Sequence, residues 1–424
     1  MSLKNKKISI IGQGYVGLPL TIEFSKKYKK IIGFDNSKKR ISEIKNNIDH
    51  NKEIKKSEFK KIKNVDFTND SSKISNSDFY IITVPTPLNK KKEPDLSSLI
   101  EATKMVAKNL KKKSIVIYES TVYPGCTEEV CVPIIKKFSK FKYNKDFFCG
   151  YSPERINVGD KNHSLIKIIK VISGSNIAST KKINKLYKSI IKAGTFVAKN
   201  IKVAEASKVI ENTQRDLNIA LVNELSMIFK KMKINTTDVL NVANTKWNFI
   251  KYEPGLVGGH CIGVDPYYLT YKSKKIGHDP KIINAGRKVN DGMPKYVAKR
   301  ILINMKNKNV KIKKSSALIL GCTFKKNCTD TRNSKIFDLA TYLKLVDVKV
   351  DIYDPWVNSS EINELKNFNF INNINKKYDV IVIGVAHDIF KKFTKNELKK
   401  ISKKINVIFD VNNFLNEGIA SERL

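Results

Sequence analysis

The sequence predicts an α/β protein: two Rossmann-like, doubly wound parallel-sheet domains joined by a long central helix. Three observations predict it. Short apolar strand runs alternate with helix-spaced stretches toward both ends of the chain, the pattern of strands joined by crossover helices. A glycine-rich turn, "GQGYVG", follows the first strand run. Between the two alternating regions lies "KVAEASKVIENTQRDLNIALVNELSMIFKKM", which has no Gly or Pro and places apolar residues three and four apart, as one long helix does.

Taken in order, "KKISIIG" is a strand, "VGLPLTIEFSKKY" a helix and "KIIGFD" a second strand. "SDFYIITVPTP", "SIVIYEST" and "KIIKVISG" are further β-rich runs that end in turn or polar residues. The texture changes near residue 200, where the long helix begins. "PKIINAGRKVNDGMPKYVAKRILINM" is helical again, broken near "DGMP". Alternation then returns: "SSALILG" is a strand, "IFDLATYLK" a helix, and "VKVDIYDP", "YDVIVIGVAH" and "NVIFDVNN" are strands. The last third thus repeats the first: strand, helix, then a strand ending in Asp. The expected boundaries are 1–200, 201–310 and 311–424.

A chain of 424 residues is too long for one core, consistent with this division. No run of about twenty apolar residues predicts a membrane span. The N-terminus enters a strand without the apolar core of a signal peptide, so the expected location is cytoplasmic. Six cysteines without a CxxC pair predict neither a disulfide framework nor a zinc site, and no metal is expected. The net charge is +40. The lysines are spread along the chain rather than gathered on one stretch, which argues for solvated helix faces and compositional bias and against nucleic acid as the partner. The positive field would still favour a small anionic substrate.

Gly12, Gly14 and Gly17 form G-x-G-x-x-G after a strand and before a helix, with Tyr15 and Val16 between them. Such glycines permit a tight turn, close approach of a pyrophosphate and close helix packing, and the helix N-terminus faces the phosphates. Asp35, about twenty residues on, accepts hydrogen bonds from ribose hydroxyls and repels a 2′-phosphate, which favours NAD. Arg40, beyond it, joins the cofactor-side residues and leaves NADP as the alternative.

Together "GQGYVGLPL", "TVPTP", "YESTVYPG", "SPERI", "EASKVIENTQRDLNIALVNEL", "GGHCIGVDPYYL" and "FKKNCTDTRNSK" make a chain that resembles, nearly end to end, the nucleotide-sugar 6-dehydrogenases of the UDP-glucose/GDP-mannose dehydrogenase family. Within the family it is most similar to the bacterial UDP-N-acetylhexosamine 6-dehydrogenases, galactosamine or glucosamine, which make uronic acids for surface polysaccharides. UDP-glucose or GDP-mannose oxidation is the alternative. The resemblance implies an NAD domain, a helical centre that forms a homodimer or larger assembly, and a UDP-sugar domain. It also implies oxidation of a primary alcohol to a carboxylate by two NAD+ in succession.

The resemblance assigns roles residue by residue. Cys261 matches the nucleophile: its thiolate adds to the aldehyde as a thiohemiacetal, and oxidation gives a thioester that water hydrolyses. The glycines before it, Gly255 and Gly258 among them, let backbone close around the sugar, with Tyr252 opening the loop. Asp265 matches a residue that handles protons and water, although Val264 stands where many relatives carry Lys. Lys208 and Asn212, four apart on one helix face, match residues that stabilise the oxyanion. Glu154 matches the acid that activates water for hydrolysis. Thr121 matches a hydroxyl that positions water or cofactor, with a helix cap as the alternative, and Thr86 of "TVPTP" joins the cofactor side. Arg155 touches substrate or forms a structural ion pair. Lys325 matches a nucleotide-sugar contact and Arg332 a contact to NAD phosphates or substrate. His260 adjoins Cys261, but neighbouring loop residues usually point apart, so no Cys–His dyad is expected.

Overall fold

β1 (Lys7–Ile11), β2 (Lys30–Phe34), β3 (Val65–Thr68), β4 (Phe79–Ile82), β5 (Ser114–Tyr118), β6 (Phe147–Tyr151), β7 (Lys170–Gly174) and β8 (Thr195–Val197) form one sheet in the order β3-β2-β1-β4-β5-β6-β7-β8. The computed structural model describes residues 5–51, 53–59, 62, 64–156, 164–259, 261–358 and 366–424. They divide into two units, residues 1–211 with 267–279 and residues 212–266 with 280–424. In the first unit the sheet is flanked by α1 (Gly17–Ser25), α2 (Lys38–Lys45), α3 (Lys56–Phe59), α4 (Ser97–Lys108), α5 (Val132–Ser139) and α6 (Ile177–Lys188). Ile8 and Ile10 of β1, Ile81 of β4 and Ile117 of β5 pack with Leu20 and Phe24 of α1 and Leu186 and Tyr187 of α6. On another face Leu18 and Ile22 of α1 meet Ile41 and Ile44 of α2. Strands covered on both faces read as continuous apolar runs, which is why they are visible in the sequence.

The alternation predicts parallel strands, and one pair departs from it: β7 runs antiparallel to β6, with Gly150 opposite Gly174 and Tyr151 opposite Ser173. A parallel neighbour needs a long crossover connection, usually a helix. Among the described residues between β6 and β7 there is only a 3₁₀ turn, Leu165–Lys167.

α7 (Ile201–Met232) is one 32-residue helix, and the division between the units falls within it. α8 (Thr236–Ala243), α9 (Asp265–Lys275) and α10 (Lys281–Asn307) follow. The expected break near "DGMP" is absent: α10 runs through Pro294 without interruption. Proline inside a helix costs about 3 kcal/mol or more. Burial of Val297, Ala298, Ile301 and Met305 in the second unit's core, on the turns that follow, offsets it.

The second sheet comprises β9 (Ser316–Leu320), β10 (Lys349–Tyr353), β11 (Asn369–Phe370), β12 (Tyr378–Ile383), β13 (Ser402–Asp410) and β14 (Glu422–Arg423), in the order β11-β10-β9-β12-β13-β14. α11 (Lys335–Lys344) and α12 (Lys395–Ile401) complete the unit. The echo seen in the sequence extends to single hydrogen bonds. Gly12 N donates to Phe34 O at 2.8 Å, and Gly321 N to Tyr353 O at 2.9 Å. Gln13 N donates to Asp35 at 2.8 Å, and Cys322 N to Asp354 at 2.7 Å. Both sheets reverse strand order beside their first strand, which marks the C-terminal strand ends there as the crevice for a ligand. Among the described residues no helix is long and apolar enough to cross a membrane.

Candidate active site

The glycine turn of the first unit is built as a phosphate cradle. Gly12 leaves β1 with φ +93°, a left-handed conformation that glycine adopts without strain. Gly17 opens α1 so close to the turn that a Cβ there would stand 1.8 Å from the Gly12 carbonyl oxygen. Gly14 is exposed, with nothing within 4 Å of the position a Cβ would take, so bare backbone faces outward at the N-terminal end of α1. Tyr15 and Val16, half-buried, complete the turn. Asp35 accepts from Gln13 N at 2.8 Å and Ser37 N at 2.9 Å. An anion-ready helix start beside a fixed carboxylate fits a dinucleotide. Arg40 is buried behind the turn: its Nε donates to Gln13 O at 2.8 Å and its guanidinium pairs with Asp49 at 2.8 Å. Its visible work is bracing the loop.

At the ends of β4 and β5, Thr86 Oγ1 donates to Thr121 O at 2.7 Å and Ser120 Oγ to Val84 O at 2.6 Å. Thr121 is not a helix cap, because the helical turn that follows starts at Thr127 with Cys126 at its N-cap. Glu154 lies past β6. Its Oε1 accepts from Arg155 N at 2.6 Å and Ile156 N at 2.8 Å, and its Oε2 meets Lys170 Nζ at 2.7 Å. Burial pushes this carboxyl up, but Lys170 and the two N–H groups outweigh it and hold Glu154 below the usual carboxylate range. Arg155 is in the ion-pair alternative, 2.8 Å from Glu211.

Lys208 is buried on α7, one turn after Glu205. Glu205 accepts backbone hydrogen bonds from Gly125 and from Thr127, the latter at 2.9 Å. Burial pushes the Glu205 carboxyl up to about 7, against the pull of those N–H groups. The folded state therefore binds this proton more tightly than the unfolded chain, whose value is near 4.5. The contribution to stability is full below about pH 4.5 and is lost as pH rises through about 7. The melting temperature is expected to fall between about pH 5 and about pH 8, and to fall less in Glu205→Gln. Calorimetry of both proteins across that range checks this; equal slopes would count against it.

In the second unit Cys261 is half-buried, whereas Cys126, Cys131, Cys149, Cys322 and Cys328 are buried. The Cys261 carbonyl accepts from Val264 N at 3.0 Å and Asp265 N at 2.8 Å, a turn that leads into α9. Asp265 is the first residue of α9, where the helix dipole favours a carboxylate. Asn212 Nδ2 donates to Asp265 Oδ2 at 2.6 Å, so the amide is oriented by the carboxylate. The glycines before the thiol make close approaches to the chain itself. A Cβ on Gly258 would stand 2.6 Å from Asn333 O, and one on Gly259 (φ +84°) 2.6 Å from the Phe324 ring. Tyr252 is half-buried at the start of the loop. His260 lies outside the described residues.

A cavity of about 240 Å³ opens at the C-terminal ends of β9 and β12, lined by Leu256, Gly258, Thr323, Lys325, Lys326 and Asn412 among others. The loop carrying Gly258 and the expected contact Lys325 thus border one cavity. Arg332 is exposed and forms a bidentate pair with Asp330, its closest contact 2.6 Å. Asn223 has no local signature, so the sequence alone does not mark it. It accepts from Gly255 N at 2.8 Å and donates to Gly255 O at 3.0 Å, and it meets Asn290 at 2.9 Å. Asn290 in turn donates to Asp216, which pairs with Arg287 at 2.6 Å. This buried polar chain pins the head of the thiol loop to α7 and α10. Glu119 and Lys170 likewise carry no local signal, because their contact joins residues 51 positions apart. Among the described residues no group of His, Cys, Asp or Glu is placed to hold a metal ion.

Comparison with known proteins identifies the family. Residues 6–191 match the NAD binding domain, 202–292 the central domain and 318–417 the UDP binding domain of the UDP-glucose/GDP-mannose dehydrogenase family. The chain is 50% identical over 406 residues to a UDP-N-acetyl-D-glucosamine 6-dehydrogenase of Salmonella typhi, covering 96% of this chain and 95% of the relative. It is 47% identical to the UDP-N-acetyl-D-glucosamine 6-dehydrogenase of Pseudomonas aeruginosa over the full length of both. The solved structure of a UDP-D-ManNAc dehydrogenase from Pyrococcus horikoshii superposes with a TM-score of 0.88 at 29% identity, covering 98% of this chain and 97% of that one.

Proposed function

This chain belongs to the UDP-glucose/GDP-mannose dehydrogenase family, as a nucleotide-sugar dehydrogenase with an NAD binding domain, and on that premise we propose that it oxidises C6 of a UDP-N-acetyl-D-hexosamine to the carboxylate. The observation that carries the substrate assignment is the end-to-end likeness to relatives named for UDP-N-acetyl-D-glucosamine. NAD, when bound at the glycine turn, accepts hydride in each of two oxidations.

The chain's own residues do the rest. The Lys208 ammonium stabilises the alkoxide that develops at C6. The Cys261 thiolate adds to the aldehyde carbon, and the resulting oxyanion is held by Lys208 and the Asn212 amide, whose orientation Asp265 sets. Once the adduct is oxidised to a thioester, Glu154 orients a water and takes its proton, the C–S bond breaks and the thiolate returns to Cys261. Tyr15, Val16, Thr86, Thr121, Arg40 and Arg332 serve the cofactor side in this reading. Tyr252, Gly255, Gly258 and Lys325 serve the substrate, while Arg155 is held in its ion pair with Glu211.

The same reading divides the chain into cofactor (1–200), dimerisation (201–310) and UDP-sugar (311–424) segments. It places the enzyme in the cytoplasm, feeding a uronic acid into surface polysaccharide. Exposed Ile228, Met232, Val242 and Trp247 support an assembly of at least two copies through the middle segment. Incubation with NAD+ and a panel of UDP- and GDP-sugars is expected to give two NADH per uronate with UDP-N-acetyl-D-glucosamine or its galacto epimer. Faster turnover of UDP-glucose or GDP-mannose, followed by NADH and product mass, would replace the N-acetyl assignment.

A further inference from the structure

We propose that Lys170 and Glu119 are positioning residues for Glu154: a buried ammonium shared by two carboxylates aims the Glu154 side chain at the attacking water and holds it as a carboxylate. The inference rests on the hydrolytic role proposed above for Glu154.

Topology is the first support. β5 and β6 are parallel and end at one edge of the first sheet. Glu119 directly follows β5, and Glu154 lies three residues past β6. Lys170 is the first residue of β7, and it reaches that edge because β7 is antiparallel to β6. Continuing the observed register sets Lys170 opposite Glu154. A parallel strand in the same slot would bring Gly174 there instead and send the lysine to the far edge. The departure from the parallel pattern thus delivers a cation to the side of the sheet where ligands bind.

Geometry is the second. Lys170 Nζ stands 2.7 Å from Glu119 Oε2 and 2.7 Å from Glu154 Oε2. The lysine and Glu119 side chains are 3% and 0% exposed, and that of Glu154 is 11% exposed. Of the three, Glu154 keeps an opening to solvent. The Tyr187 hydroxyl of α6 donates to Glu119 Oε1, and the tyrosine ring lies 5.7 Å from Nζ. Arg155 beside Glu154 is paired with Glu211 of α7. Burial pushes Glu119 up, and the Glu154 charge adds to this against the pull of Lys170. Glu154 is held down and Lys170 up. Lys170 and the two backbone N–H groups thus favour the charged form of Glu154 against its burial. Burying such a cluster is expensive, and well-packed apolar residues usually stabilise as much or more. A catalytic use explains why charge is placed there.

In the step concerned, the water oxygen bonds to the acyl carbon and the C–S bond breaks. The electron pair returns to sulfur, and the water proton passes to Glu154 and then to solvent. The test is the pH dependence of that step. Enzyme is mixed with NAD+ and UDP-N-acetyl-D-glucosamine and acid-quenched, and the covalent adduct is followed by intact mass. Hydrolysis should slow at low pH as Glu154 takes up a proton. Lys170→Met should raise that acid limb by about one pH unit or more, with binding of NAD and UDP-sugar little changed. Lys170→Arg should restore it, and Glu119→Gln should not raise it. The double variant Glu119→Gln/Lys170→Met keeps the net buried charge and should show the raised limb even where the single lysine variant folds poorly. An acid limb unmoved in the lysine variants, or raised equally by Glu119→Gln, overturns the inference. Glu154→Gln separates the two ideas. If it hydrolyses the adduct at the normal rate, the role of Glu154 itself fails; if it accumulates adduct while the lysine variants keep the normal limb, the positioning role alone fails.

Discussion

Replacing Cys261 with serine is expected to abolish uronate formation and to lower steady-state NADH production by about a thousandfold or more, the scale on which enzymes lose rate with their nucleophile. The substitution exchanges one atom at a half-buried position in a turn fixed by backbone bonds from Val264 and Asp265. The fold and the binding of NAD and UDP-sugar should therefore persist. A serine hydroxyl without a dedicated base is a far weaker nucleophile than a thiolate, so the aldehyde is not captured. The contrast among the cysteines gives a second readout. Burial pushes the Cys149 and Cys322 thiols well up. Burial also raises Cys328, and Cys126 is raised by its contact with Cys131 and by burial. Limited alkylation of the native enzyme should mark Cys261 first, and UDP-sugar should protect it. Full conversion to uronate by the serine variant would refute the covalent route.

Much of this organisation was legible in the sequence because it depends on local pattern. Strands buried on both faces betray themselves as apolar runs, and the glycine turn with Asp35 is spaced by the geometry of a strand–helix–strand unit. Contacts between distant residues were less visible. Lys170 is one lysine among 80 basic residues. Its tie to Glu119 bridges 51 positions and depends on one strand running the other way. In the sequence Asn223 is one more polar position on a long helix, and only the fold pairs its amide with both backbone groups of Gly255. Pro294 misled in the opposite direction: its local preference against helix is real, and packing on the adjoining turns overrides it. The glycines before Cys261 pointed to close approach, and the approach observed is to Phe324 and Asn333.

The two glycines of the cofactor turn should separate folding from binding. Gly17→Ala forces a Cβ to within 1.8 Å of the Gly12 oxygen and 2.6 Å of Thr83 Oγ1. The first contact is with backbone that cannot rotate away, so the turn and α1 must move apart. Overpacking of this kind costs about 1–3 kcal/mol, several degrees in melting temperature for the first unit, and NAD binding should go with it. Gly14→Ala meets no such obstacle, since nothing lies within 4 Å of its Cβ and the residue is exposed. Its melting temperature should match the parent protein. The added methyl group nevertheless stands where a pyrophosphate must approach the backbone, so the Kd for NAD should rise by about tenfold or more, roughly 1.4 kcal/mol. Calorimetric melting and NAD titration of the two variants measure both quantities. A Gly17→Ala protein as stable as the parent would contradict the packing of the turn; undiminished NAD affinity in Gly14→Ala would mean that the dinucleotide does not lie against this backbone.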